Sequence, residues 1–232
     1  MSVFWLKSIA HQTLNINVSR LYHHVMHCMY VNILEWTQLS SSLPLYSGVS
    51  FIRWGRTTCP SRSKQIYRGQ MAGKHHSSPG GGTNYLCLPD DPEYDPYAPD
   101  GIHTALRATH YRYSLYQSDL RRVPCVACET EKRVNHIMVP AKTRCPTSEW
   151  KLEYKGYIVS MAEYNTGVDD FLDNYHATSY ICLDSNSESL TSKSYRHNYG
   201  SLLYTTNVAC SGNSALHNCP PYKPTTALSC VV

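Results

Sequence analysis

Ten cysteines in a chain of 232 residues constrain what this protein can fold into more than any other feature. In a reducing compartment such a content usually marks metal sites, whereas in an oxidising one it marks a disulfide framework. A structural zinc site needs four converging ligands, commonly from two tight cysteine pairs, and only Cys125-Val126-Ala127-Cys128 provides one. The cysteines therefore predict disulfides and an extracellular location. We expect no metal and no cofactor.

The composition favours short strands over charged helices. Tyr (19) far outnumbers Phe (3) and charged residues make up 16%, which predicts a mainly β fold. The net charge of +4 is mild and the basic residues are scattered, which argues against nucleic acid as a partner. No run approaches the roughly 20 apolar residues that a membrane-spanning helix requires.

Four motifs recur in the same order in two stretches of the chain. The first set comprises Cys59-Pro60, Tyr67-Arg68-Gly69, Tyr85-Leu86-Cys87-Leu88 and Cys125-Val126-Ala127-Cys128. The second comprises Cys145-Pro146, Tyr154-Lys155-Gly156, Tyr180-Ile181-Cys182-Leu183 and Cys230-Val231-Val232. This order predicts two tandem copies of a disulfide-linked β-rich unit, 48–133 and 134–232. The second copy is interpreted as truncated at its last cysteine motif, with an insertion mainly in 163–176.

Within the copies, strands are predicted at 66–67, 84–88, 150–154, 157–159 and 180–183. Residues 1–47 differ in kind, with clustered histidines, a predicted helix over 21–36 and a Ser/Pro linker at 40–44. They contain no signal-peptide pattern, in conflict with the predicted secretion. We interpret 1–47 as a divergent or mispredicted, partly helical N-terminal segment. Its Cys28 is either free or a substitute partner.

Several polar clusters are candidate ion sites. His75 and His76 could ligate a metal through their imidazole nitrogens, but no further ligand follows at metal-binding spacing, which favours a solvated loop. The segment 90–100 offers five carboxylates for calcium, yet it lacks the residue order that aims them inward. A solvated loop stiffened by proline is the favoured interpretation there.

The tyrosines offer a candidate ligand surface, because each ring has an apolar face and a polar tip. The alternative is that tyrosines at every second position are half-buried strand residues. The candidates are Tyr111, Tyr113, Tyr116, Tyr195, Tyr199 and Tyr204.

Catalytic signatures are missing from the sequence. It contains no Gly-x-Ser-x-Gly elbow, no phosphate loop and no dinucleotide fingerprint. A Cys/His nucleophilic pair, such as Cys145 with a histidine, would need an electropositive niche that the sequence does not indicate. We therefore predict a protein without enzymatic activity.

Four segments carry a family resemblance over about residues 50–232. They are 51–60 (FIRWGRTTCP), 82–89 (GTNYLCLP), 123–128 (VPCVAC) and 218–222 (NCPPY). Together they resemble the C-terminal non-collagenous domain of sponge-type short-chain collagens. That domain is similar in plan to the duplicated non-collagenous domain of basement-membrane collagen, in which each copy is a disulfide-linked β unit and the domain drives trimerisation.

The resemblance implies a nested set of bridges. Its pairs are Cys59–Cys128, Cys87–Cys125 and Cys182–Cys230, and it leaves Cys145 as an unpaired thiol. Cys210 and Cys219 remain as a local pair in the second copy. The chain has only 12 glycines without a three-residue period, so it cannot form a collagen triple helix, and a trimer is expected only by analogy.

Two functions of different class follow from these observations. One is an extracellular matrix or secreted structural and interaction module, with other copies, matrix proteins or glycans as partners. The alternative is a secreted, lectin-like glycan-binding protein. The resemblance favours the structural module.

Overall fold

The computed structural model describes residues 48–78, 80–99, 101, 104–112, 120–162, 178–190, 200–212 and 219–232. These residues form strands and loops, with no helix among them, so the predicted mainly β fold is confirmed. The predicted helix over 21–36, Cys28 and the insertion at 163–176 lie outside the described residues. The strands are β1 (Gly48–Trp54), β2 (Ser63–Gly73), β3 (Leu86–Pro89), β4 (Arg107–Tyr111), β5 (Pro124–Glu131), β6 (Val139–Pro140), β7 (Lys155–Ser160), β8 (Ile181–Asp184), β9 (Ser201–Thr205) and β10 (Ser229–Val231).

The predicted strand at 150–154 is wrong, because the regular ladder begins only at Lys155. The amide groups of Glu153 and Tyr154 both donate to the carbonyl of Val232, at 2.7 and 3.3 Å. A regular ladder gives each amide its own acceptor, so this shared carbonyl marks an irregular approach to β7. The other predicted strands overlap β2, β3, β7 and β8.

Seven of the strands close into a ring in the order β7–β8–β1–β5–β2–β4–β9 and back to β7. Most neighbours are antiparallel, while β1–β8 and β4–β9 are parallel. Outside the ring, β3 pairs with β2, and β10 lies between β7 and β6. Each ring strand thus pairs with two ring neighbours, and a paired edge is protected from pairing with other chains.

The two predicted units are not separate bodies. Tyr46–Val232 form one compact unit, and both parallel junctions of the ring join a strand from 48–133 to a strand from 134–232. The two buried clusters also mix the halves: Met71 packs with Val159 and Leu203 in one, and Phe51 packs with Tyr154 and Ile158 in the other. Neither half therefore has a core of its own.

Matching hydrogen bonds hold the central strand of each half. The hydroxyl of Tyr67, on β2, donates to the carbonyl of Cys87 at 3.2 Å. The hydroxyl of Tyr154, just before β7, donates to the carbonyl of Cys182 at 3.0 Å. The recurring tyrosine and cysteine motifs are thus tied together in the same way in both halves.

A glycine in each half permits a close approach of two strands. Gly69 lies against the carbonyl group of Leu88, and Gly156 lies against that of Leu183. A Cβ atom built on either glycine would overlap the carbonyl oxygen. Only a residue without a side chain fits there, which explains the glycine of both Tyr-Arg/Lys-Gly motifs.

The turns that follow β1 in the first half and β6 in the second half also match. Gly55 donates its amide to the carbonyl of Pro124 at 2.8 Å, and Ala141 donates to that of Ser229 at 2.7 Å. Both donors have left-handed backbone, with φ of 87° and 58°. The chain therefore turns in the same way after β1 and after β6.

Candidate functional site: a disulfide frame and an apolar cleft

Four disulfides frame the sheet. Three coincide with the pairs that the family resemblance implies, and the fourth is the local pair expected from spacing. Cys145 is half-buried and unbridged. The bridges are Cys59–Cys128, Cys87–Cys125, Cys182–Cys230 and Cys210–Cys219, with Cα–Cα distances of 5.6 to 5.8 Å.

Two of these bridges occupy matching places. Cys87–Cys125 links β3 to β5, which are two neighbours of β2. Cys182–Cys230 links β8 to β10, which are two neighbours of β7. Cys125 and Cys128 are neighbours in sequence but bond to different partners. The Cys-x-x-Cys motif is therefore part of the frame and is not available as a zinc ligand pair.

The candidate ion ligands of 75–76 and 90–100 are not brought together into a metal site. The rings of His75 and His76 lie 4.3 Å apart, while Asp90 pairs with Arg68 and Asp95 accepts a hydrogen bond from the amide of Tyr97. In the described part of the chain, no three His, Cys, Asp or Glu side chains are grouped so that they could hold a metal ion.

The structure contradicts one candidate for the tyrosine surface. Tyr111 is 1% exposed, and its hydroxyl donates to the carbonyl of Glu188 at 2.6 Å. The prediction that it belongs to a ligand surface is wrong, because the ring fills the core cluster of Met71 and Leu203. Tyr204 is half-buried on β9. The remaining candidates lie outside the described residues: Tyr113, Tyr116, Tyr195 and Tyr199.

Ion pairs hold the parallel junction between β1 and β8. Arg53 donates to the buried Asp184 carboxylate, with N–O distances of 2.7 and 2.8 Å. Nearby, Glu188 accepts hydrogen bonds from Thr57 and pairs with Arg56 at 3.0 Å. Burial alone would raise the pKa of Glu188, but these hydrogen bonds and positive charges outweigh it and lower the pKa. Glu188 therefore stays charged at the junction.

An apolar cleft of about 410 Å³ opens beside this frame, between 132–137 and 149–153. Phe51 and Val232 line it, and Phe51 is stacked on Tyr154 with ring centroids 6.3 Å apart. Arg133 and Glu153, one from each wall, form a salt bridge of 3.2 Å. This salt bridge thus holds the two walls of the cleft together.

The walls of the cleft expose large apolar side chains. Val134 is 85% exposed. Ile137, Trp150 and Leu152 are also exposed. Exposed apolar groups that cluster beside a recess mark binding surfaces for proteins. The sequence motifs did not predict this surface, although the apolar residues of 134–137, at the start of the second predicted unit, were an available signal.

Comparisons with known proteins leave this fold without a match. No family model matches the sequence, and no solved structure gives a significant match. The described residues include no helix with the length and apolarity needed to cross a bilayer. The resemblance to collagen non-collagenous domains therefore stays a prediction, and the function must be inferred from the geometry.

Proposed function

We propose that this protein is an extracellular structural and interaction module of the matrix, without catalytic activity. The observation that carries the proposal is the frame of four disulfides around one closed ring of strands. Such bridges persist in oxidising compartments and are reduced in the cytosol. Each stabilises a fold by about 2–4 kcal/mol, which suits a module that must stay folded outside the cell.

We further propose that the two halves are copies of one unit fused into a single body. The matching bridges, tyrosine hydrogen bonds and glycine contacts support this interpretation. Because the strands of the two halves pair at both junctions of the ring, β1–β8 and β4–β9, the fused unit is one module. A rigid module with fixed surfaces suits assembly.

The cleft is the surface that we assign to assembly, and its occupant is a second copy of this chain. Val134 projects from the wall as an exposed apolar knob, while the recess beside it is lined by Phe51 and Trp150. A face that carries both a knob and a recess can pair with its own copy by a two-fold contact, each knob entering the other recess. Burying these groups removes apolar surface from water.

The test uses the full chain expressed through a eukaryotic secretory route. Sedimentation velocity over a hundredfold concentration range should show reversible self-association that Val134→Asp abolishes. The matched control, Tyr97→Asp, places the same charge on an exposed loop outside the cleft and should leave association unchanged.

Two results would overturn the proposal. If the protein is monomeric at every concentration, the proposed assembly function is wrong. If it has free thiols and bound zinc in place of the bridges, the proposed extracellular location is wrong.

A further inference from the structure

A second pocket, distinct from the cleft, lies between the segments 74–78, 80–84 and 104–107 and has a volume of about 890 Å³. Lys74 lines it and is 7% exposed. Its carbonyl accepts a hydrogen bond from the Ser201 hydroxyl, which fixes the backbone. Among the described residues, its ammonium group has no hydrogen-bond or ion-pair partner. A lysine buried to this degree ordinarily has an anionic partner.

Other basic side chains surround this lysine. His75 and Arg107 also line the pocket, and His76 lies against His75. Burial first, and then the charges of His76 and Arg107, lower the pKa of His75. The pocket thus has a positive electrostatic potential that no carboxylate in the described part of its lining offsets.

Hydrogen-bond donors complete the lining. Ser77 donates its amide to Nδ1 of His75 at 3.2 Å, which leaves the ring proton of the neutral imidazole on Nε2. Gly80, Gly81 and Gly82 form one wall, and a Cβ atom at Gly80 or Gly82 would touch nothing within 4 Å. The glycine backbone is therefore open to a ligand, as in other loops whose N–H groups receive anions.

These cations are not required by the fold. In β2–β4 Ala72 pairs with Ala108, and in β7–β9 Val159 pairs with Thr205. By this register Lys74 corresponds to Met161 in the second half, and Arg107 corresponds to Tyr204. The second half forms the same strand pairing without either cation, so the positive pocket is an addition to the common frame.

We propose that this pocket binds an oxyanion, and that the ligand is a sulfate group of a sulfated polysaccharide. Lys74 and Arg107 supply the charges that pair with the sulfate, while the histidine and the glycine loop supply neutral donors. The choice of a polysaccharide rests on the extracellular location proposed above. The oxyanion site itself rests only on the pocket.

The test is calorimetric titration of the secreted full-length protein with a heparin hexasaccharide. Lys74→Met keeps the buried aliphatic stem but removes the charge, and it should weaken binding about tenfold, the value of one charge-assisted hydrogen bond. Lys223→Met, which removes the same charge from an exposed loop outside the pocket, should change the affinity less than twofold. Unchanged binding by Lys74→Met overturns the site.

A second pair of variants guards against misfolding of Lys74→Met. Gly82→Asp introduces a carboxylate where a side chain meets no neighbour and should abolish binding, whereas the isosteric Gly82→Asn should retain it. Equal affinity of both variants overturns the proposal.

Two further ligands identify the source of the oxyanion. The desulfated hexasaccharide, which keeps only its carboxylates, should not bind; if it binds as tightly as the sulfated one, sulfate is not the group recognised and the proposal is wrong. Inorganic sulfate and phosphate should bind more weakly than the hexasaccharide; if they bind equally well, the polysaccharide is wrong. None of these outcomes alters the disulfide map or the self-association that test the proposed function, so the two failures are distinguishable.

Discussion

Removing the bridge between Cys182 and Cys230 should cost the protein a large part of its stability. The bridge closes a loop with a sequence separation of 48, and both sulfurs lie in the buried cluster that contains Phe51 and Ile158. In the chain-entropy description, a loop of this length contributes about 4 kcal/mol to the free energy of unfolding. Since folded domains are stable by only about 5–15 kcal/mol, the Cys182→Ala/Cys230→Ala variant should be close to unfolding.

The matched control is the bridge between Cys210 and Cys219, whose sequence separation is 9. The same description gives it about 2.7 kcal/mol. Guanidinium denaturation of both double-alanine variants, followed by far-UV circular dichroism, should rank the long-loop bridge above the short one by more than about 1 kcal/mol. Equal losses, or a loss below about 1 kcal/mol for Cys182→Ala/Cys230→Ala, would contradict a stabilisation that depends on loop length.

Three further predictions concern stability. Gly156→Ala should destabilise by about 1–3 kcal/mol in chemical denaturation because its Cβ meets a backbone carbonyl, while Gly80→Ala, in open space, should stay within about 0.5 kcal/mol. Asp184→Asn should lower the free energy of unfolding by about 3 kcal/mol, because it leaves the largely buried Arg53 without its ion-pair partner. Asp90→Asn, in an exposed ion pair, should lower it by less than about 1 kcal/mol. Equal losses would contradict the stabilising role of the Arg53–Asp184 pair at the β1–β8 junction. Burial raises the pKa of Tyr85 to about 12, above its usual value of about 10. The unfolded state therefore loses the hydroxyl proton first, and the free energy of unfolding should fall as pH rises from about 10 to 12. Tyr85→Phe should flatten that decline, and an unchanged slope in the variant would contradict the prediction.

The recurring motifs predicted several of the strands, because each motif is local, whereas the three long-range bridge pairs were implied by the family resemblance. The Tyr-x-Cys-Leu and Tyr-Arg/Lys-Gly motifs carry their signals within a few residues, and they occupy matching places in β2–β3 and β7–β8. The sequence contains no such local signal for the parallel pairs β1–β8 and β4–β9, since they join segments that are distant in sequence. The interlocking of the two halves was therefore not predictable from spacing.

The candidate sites were harder to predict, because they depend on which face of a strand is buried. Tyr111 alternates with its neighbours as a ligand-surface residue would, yet register and closure of the ring place it in the core. Lys74 looks like an ordinary surface cation in the sequence, and only the packing of β9 against the end of β2 buries it. The cleft likewise needs Val134 and Trp150, which are separated in the sequence but line the same recess.

A disulfide map of the secreted, unreduced protein by peptide mass spectrometry tests the proposed extracellular frame. The structure predicts that Cys145 reacts with an alkylating reagent without prior reduction. It predicts four protected pairs: Cys59–Cys128, Cys87–Cys125, Cys182–Cys230 and Cys210–Cys219. Alkylation of Cys125 and Cys128 together with stoichiometric zinc, or a bridge between Cys87 and Cys128, would contradict it.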